Sequence, residues 1–122
     1  MAKTVMIVDD SSSLRQVVSI VLKGAGYEVI EAGDGDEAVA QLDGRRINLI
    51  ITDVNMPRMD GITLVREVKK LPSYKFIPIM MLTTVSDEAR KREGQAAGAK
   101  AWLVKPFAPA QMLTAVMKLL PS

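Results

Sequence analysis

Five short runs of mostly apolar residues recur along this chain of 122 residues, and a stretch of helical spacing follows each of them. Thr4–Val8 is continuously apolar after its first residue, the pattern of a strand buried on both faces. Glu28–Ala32, Leu49–Thr52, Ile77–Leu82 and Ala101–Val104 read as four more strands, with Pro78 tolerable near the start of the fourth. Asp9-Asp10-Ser11-Ser12 supplies capping chemistry for a helix whose apolar face is Leu14, Val17, Val18, Val21 and Leu22, closed by Gly24 and Gly26. Further helices are predicted over Asp36–Asp43, Ile62–Leu71, Ser86–Ala97 and Ala108–Leu120, and Val54–Gly61 is a loop. Strict alternation with connections this short predicts an α/β fold, a doubly wound five-stranded parallel sheet covered by five helices. Residues 1–122 read as a single domain, without repeat, linker or low-complexity tract.

Composition narrows the chemistry. With no cysteine and no histidine, the chain has no disulfide, no thiolate, no imidazole-bound zinc and no Ser-His-Asp triad. Catalysis or binding must use carboxylates, lysine and hydroxyls. No apolar run approaches the roughly 20 residues of a membrane span, and the N-terminus lacks a secretory h-region. The expected location is the cytoplasm, without membrane insertion. The net charge of +2 is a weak signal. Arg90-Lys91-Arg92 is a short basic run without interleaved aromatics, so nucleic-acid binding is not expected.

In parallel α/β sheets, ligands bind beyond the carboxyl ends of the strands. The residues at those ends are Asp9 and Asp10 after the first strand, Asp53 after the third, Thr83 after the fourth and Lys105 after the fifth. Three carboxylates at one edge repel each other unless cations intervene. A divalent ion together with Lys105 would neutralise them. All-oxygen ligands favour magnesium, which shares phosphate oxygens readily and so points to phosphoryl transfer. Asp9 and Asp10 are suited to hold the metal jointly. Asp53 ends the presumed central strand and is the candidate nucleophile, forming an aspartyl phosphate. Lys105 would stabilise charge on the phosphoryl oxygens, and the Thr83 hydroxyl could donate to one of them.

Four segments, Val8-Asp9-Asp10-Ser11, Asp53-Val54-Asn55-Met56-Pro57-Arg58-Met59-Asp60-Gly61, Leu82-Thr83-Thr84 and Val104-Lys105-Pro106-Phe107, resemble the receiver domain of two-component response regulators. The resemblance covers essentially the whole chain and is nearest the stand-alone, CheY-like chemotaxis type. It implies the strand order 2-1-3-4-5 and a cis Lys105–Pro106 bond. It also implies that Asp53 accepts the phosphoryl group from a histidine kinase. Magnesium would be held by Asp10, Asp53 and the backbone carbonyl of Asn55, with Asp9 acting through water. Lys105 would contact the phosphoryl group, and Thr83 would turn toward it on activation. Trp102 stands where the family usually has a tyrosine or phenylalanine that changes rotamer, and Thr84 where a smaller residue is common. Asn55 and Val85, two residues beyond Asp53 and Thr83, would border the path of the hydrolytic water and set the phosphoryl lifetime.

The sequence Gly33-Asp34-Gly35-Asp36-Glu37-Ala38 matches a dinucleotide-binding pattern in its letters only, because its three acids repel a pyrophosphate. Two classes compete for the function. A signalling switch would keep its phosphoryl group and bind a partner, whereas a magnesium-dependent aspartyl-phosphate phosphohydrolase would turn over many equivalents. Asp9-Asp10-Ser11 lacks the Asp-x-Asp pattern of haloacid dehalogenase hydrolases, and this length leaves no cap domain, so the switch is favoured. The expected chain is a monomer with no output domain of its own. Its expected partner is the flagellar motor switch, with a non-motility phosphorelay as the alternative. The expected output face combines the Ser86–Ala97 helix, the fifth strand and the last helix, and carries Trp102, Arg90, Lys91, Arg92 and Lys100. An acidic amphipathic helix would fit it.

Overall fold

Each apolar run becomes a strand because both of its faces find a helix layer to cover them. The structure, a computed structural model, describes residues 2–84 and 88–120. Its elements run β1 (Thr4–Val8), α1 (Ser12–Gly24), β2 (Glu28–Ala32), α2 (Gly35–Ala40), β3 (Leu49–Asp53), α3 (Gly61–Lys69), β4 (Ile79–Thr83), α4 (Glu88–Ala97), β5 (Ala101–Val104) and α5 (Pro109–Leu119). All strand pairs are parallel and the spatial order is β2-β1-β3-β4-β5, as expected.

Successive side chains of a strand point to opposite faces, and this alternation divides the core in two. Met6 and Val8 of β1, Ile50 of β3 and Ile79 and Met81 of β4 pack with Ala38 of α2 and with Ile62, Leu64, Val65 and Val68 of α3. Val5, Ile7, Leu49, Ile51, Met80 and Leu82 face the other way, against Val18 and Leu22 of α1 and Met112 and Val116 of α5. These strand residues are completely buried. No helix among the described residues is long and apolar enough to cross a membrane.

Several boundaries differ from the sequence-based expectation. β4 begins at Ile79, two residues later than predicted, because Pro78 has no N–H for the ladder; its carbonyl still accepts from the Ile50 amide at 3.2 Å. α2 starts at Gly35, since Asp34 is the residue whose side chain caps it, accepting from the Glu37 amide at 2.9 Å. It ends at Ala40, where the Gln41 and Leu42 amides tighten onto the Ala38 and Val39 carbonyls. The predicted helix start at Ser86 lies outside the described residues.

Candidate functional site

The register carries the expected residues to one edge. Val8 pairs with Thr52, so Asp9 and Asp53 leave neighbouring strands side by side, and Asp53 pairs with Leu82 and Thr83 with Val104. One carboxylate oxygen from each of Asp9, Asp10 and Asp53 lies within 4.8 Å of the others. Asp9 is fully buried, Asp53 nearly so, and Asp10 is open to solvent. Lys105 reaches in from the end of β5, its Nζ 2.9 Å from Asp9 Oδ2 and 3.3 Å from Asp53 Oδ2.

Backbone donors fix the two buried acids. Asp9 Oδ1 accepts from the Ser11 amide at 2.9 Å, and Asp53 Oδ1 accepts from the Val54 amide at 2.8 Å. Burial, with the Asp9 charge added to it, pushes the Asp53 carboxyl above the usual carboxylate range against the pull of Lys105. Burial opposes the charge on Lys105, but its bond to Asp9 and the charge of Asp53 prevail, and its ammonium is held above the ordinary lysine range. One ammonium against three carboxylates leaves the cluster short of positive charge. A hard, oxygen-preferring divalent ion fits that donor set, and nitrogen- or sulfur-seeking metals do not.

The remaining predicted residues fall around this cluster. Thr83 is buried at the end of β4, where its carbonyl accepts from the Lys105 amide at 2.6 Å. Asn55 lies exposed in the loop after β3, and Val85 lies outside the described residues. The Lys105–Pro106 bond is cis, as the resemblance implied. Gly61 opens α3 directly beneath β3. A Cβ there would stand 2.0 Å from the Asp53 carbonyl oxygen, so only glycine lets the loop turn back under β3.

The output side is less uniform than the sequence suggested. Trp102 is half-buried between β5 and α4, its ring about 3 Å from where a Cβ on Gly94 would stand. Lys91 Nζ lies 6.0 Å above that ring. Arg90 does not join it. Its guanidinium is bound to Asp60, the N-cap of α3, at 2.7 Å, because a partly buried cation takes the nearest carboxylate. Lys100 directly precedes β5, two residues before Trp102, and its amide donates to the Ile79 carbonyl at 2.9 Å. Of the expected basic residues, Arg90 has its charge engaged by Asp60, while Lys91 and Lys100 both lie close to Trp102.

Two arginines escaped the sequence reading. Arg15 of α1 donates to the Asp9 carbonyl oxygen and pairs with Glu31. Arg58, in the loop after β3, pairs with Asp34 and with Asp36. Their partners are distant in sequence, and no local pattern announces either contact.

A model of the response regulator receiver domain matches residues 5–117. Chemotaxis protein CheY1 of Helicobacter pylori is 42% identical over 106 residues, covering 85% of this chain and 86% of that protein. The structure of Vibrio cholerae chemotaxis protein CheY4 superposes with a TM-score of 0.93 at 48% identity, over 98% of this chain and all of that one. The receiver domain of a Pseudomonas aeruginosa sensor histidine kinase, solved with a magnesium ion coordinated in its active-site cleft, superposes with a TM-score of 0.89 at 25% identity and full coverage of both chains. The chain spans about half or less of the length of several other curated relatives. The 2-1-3-4-5 sheet that carries this acidic edge thus has close structural counterparts, and the chain belongs to the response regulator receiver family, whose members are signalling proteins of CheY-like fold.

Proposed function

We propose that this protein is a phosphorylation-activated switch that takes a phosphoryl group from a histidine kinase onto Asp53. The observation that carries the reading is the placement of Asp53. It ends the central strand, lies against Asp9 and Asp10, and its free oxygen faces the Lys105 ammonium at 3.3 Å. In the transfer, an Asp53 carboxylate oxygen forms a bond to phosphorus as the bond from phosphorus to the kinase imidazole nitrogen breaks, leaving an acyl phosphate and a neutral imidazole after proton uptake. Lys105 holds charge on the transferred oxygens, and Thr83 donates its hydroxyl to one of them. Asp10, Asp53 and the Asn55 carbonyl would hold magnesium, with Asp9 acting through water; bound there, the ion supplies the positive charge that the cluster lacks. Loss of the phosphoryl group by water attack makes the chain catalyse its own resetting, with Asn55 and Val85 setting the access of that water.

Acetyl phosphate with magnesium should add one phosphoryl group to the wild type and none to Asp53→Asn, read by intact mass. Equal labelling of both would overturn the assignment, and many turnovers without retained label would favour a phosphohydrolase. The downstream partner we favour is the flagellar motor switch, supported by the near full-length likeness to chemotaxis protein CheY1. A phosphorelay outside motility is the alternative, supported by likeness to longer transcriptional regulators. Binding of the beryllofluoride-activated protein to purified motor-switch protein, absent for Asp53→Asn, decides between them. In either pathway the protein would act in the cytoplasm, as a monomer.

A further inference from the structure

Arg58 carries the one positive φ outside glycine among the described residues, +66°. The Met59 amide donates to the Pro57 carbonyl at 2.8 Å across it, so Arg58 is the centre of a three-residue turn of the strained hand. An arginine gains nothing from that conformation, which glycine or asparagine adopts more readily. Strain of this kind persists where the surroundings enforce it, and here they do. The Arg58 guanidinium is bound by Asp34, which is 95% buried and caps α2, and its Nε lies 3.2 Å from Asp36. The next residue, Met59, lies against Gly35 so closely that a Cβ there would meet it at 2.8 Å. Residues 58 and 59 thus clamp the loop after β3 onto the start of α2. The other end of the loop is pinned by the Val54 amide on Leu82 and by the Gly61 amide on the Val54 carbonyl, 3.3 and 2.8 Å. Asn55 lies between these two anchors.

We infer that Arg58 is a positioning residue for the cation site: its clasp on Asp34 and Asp36 fixes the loop that presents the Asn55 carbonyl. The inference rests on the magnesium-dependent reading above. Arg58 touches neither the acceptor nor the metal ligands, and it acts through the loop. Charge and position make opposite demands on it. Removing a cation near an acidic site strengthens metal binding by electrostatics alone, whereas releasing a ligand-bearing loop weakens it.

Magnesium titrated calorimetrically into wild type, Arg58→Asn and Arg58→Lys separates these effects. Asparagine tolerates the backbone at this position, so Arg58→Asn should fold, with relief of the strain partly offsetting the lost pairing of Asp34 in the absence of metal. Its magnesium affinity should nevertheless fall about tenfold, the size typical of lost outer-shell support. Arg58→Lys, which keeps a charge able to reach one carboxylate, should lie between the two. In metal-free protein, hydrogen exchange at the Met59 and Gly61 amides should quicken in Arg58→Asn. Equal or tighter magnesium binding by Arg58→Asn, or unchanged exchange at those amides, would overturn the positioning role. A wild type that takes up no magnesium would instead overturn the cation site itself, and this inference with it.

Discussion

Burial beside a second acid places Asp53 at a cost to the fold. A carboxylate held beside a buried one, with a single shared ammonium, is less stable than it would be in water, and burial with the Asp9 charge holds its pKa above the usual carboxylate range. A group whose native pKa is raised above the unfolded value favours folding while protonated and disfavours it once pH exceeds both values. Asp53→Asn should therefore stabilise the metal-free protein at pH 7, seen as a higher melting temperature. The gain should disappear at pH 3, where the carboxyl is protonated in both states. Magnesium should raise the melting temperature of wild type more than that of the variant, since binding to the native state alone stabilises it. Scanning calorimetry with and without magnesium checks both, and an unstabilised variant would mean that Lys105 already neutralises the pair.

At the scale of elements, the helices are tied to one another by side chains at their ends. Asp60 caps α3 through the Thr63 amide at 2.8 Å and binds Arg90 of α4 at 2.7 Å. Partial burial works against its charge, but the Thr63 donors and Arg90 together hold its carboxyl below the usual range. The sign follows from linkage: a lowered native pKa contributes stability above the unfolded value of about 3.9, lost as pH falls through the native value. Asp60→Asn keeps a good cap and deletes the ion pair. It should cost about 0.5–1 kcal/mol at pH 7, within the range of partly exposed pairs. That difference should vanish in urea titrations at pH 2–3. A gap that persists in acid would assign the loss to capping rather than to charge.

For the whole molecule, the question is how an event at Asp53 reaches the surface. Thr83 ends β4 next to the strand that ends at Asp53, and its carbonyl receives the Lys105 amide. Its register partner, Val104, lies two residues beyond Trp102 on β5. Trp102 packs on Gly94 of α4, and we propose that a shift of Thr83 toward a phosphoryl oxygen on Asp53 would change the space between β5 and α4. Only contacts that differ between the two arrangements can shift their balance. Magnesium with beryllofluoride should change the emission of Trp102, the chain's only tryptophan, in wild type and much less in Thr83→Ala. Emission unmoved in wild type under conditions where Asp53 is occupied would exclude this route.

The division of the core and the acid-lysine edge were legible before any coordinates. Five apolar runs of strand length alternating with amphipathic segments admit few folds, and helical crossovers join parallel strands, which puts every strand's carboxyl end on one side. That is why Asp9, Asp10, Asp53, Thr83 and Lys105 could be grouped from their positions alone. What the alternation could not convey was which side chain each charge would meet. Arg90 reads as part of a basic run, yet it turns to Asp60, thirty residues away in the chain. Arg58 reads as a loop cation, yet it occupies a strained turn that Asp34 and Asp36 enforce. Periodicity records the average water-facing or core-facing direction of a residue. Ion pairs across the sheet edge depend on distances of a few ångströms between segments that meet only after folding, and those the tertiary structure alone decided.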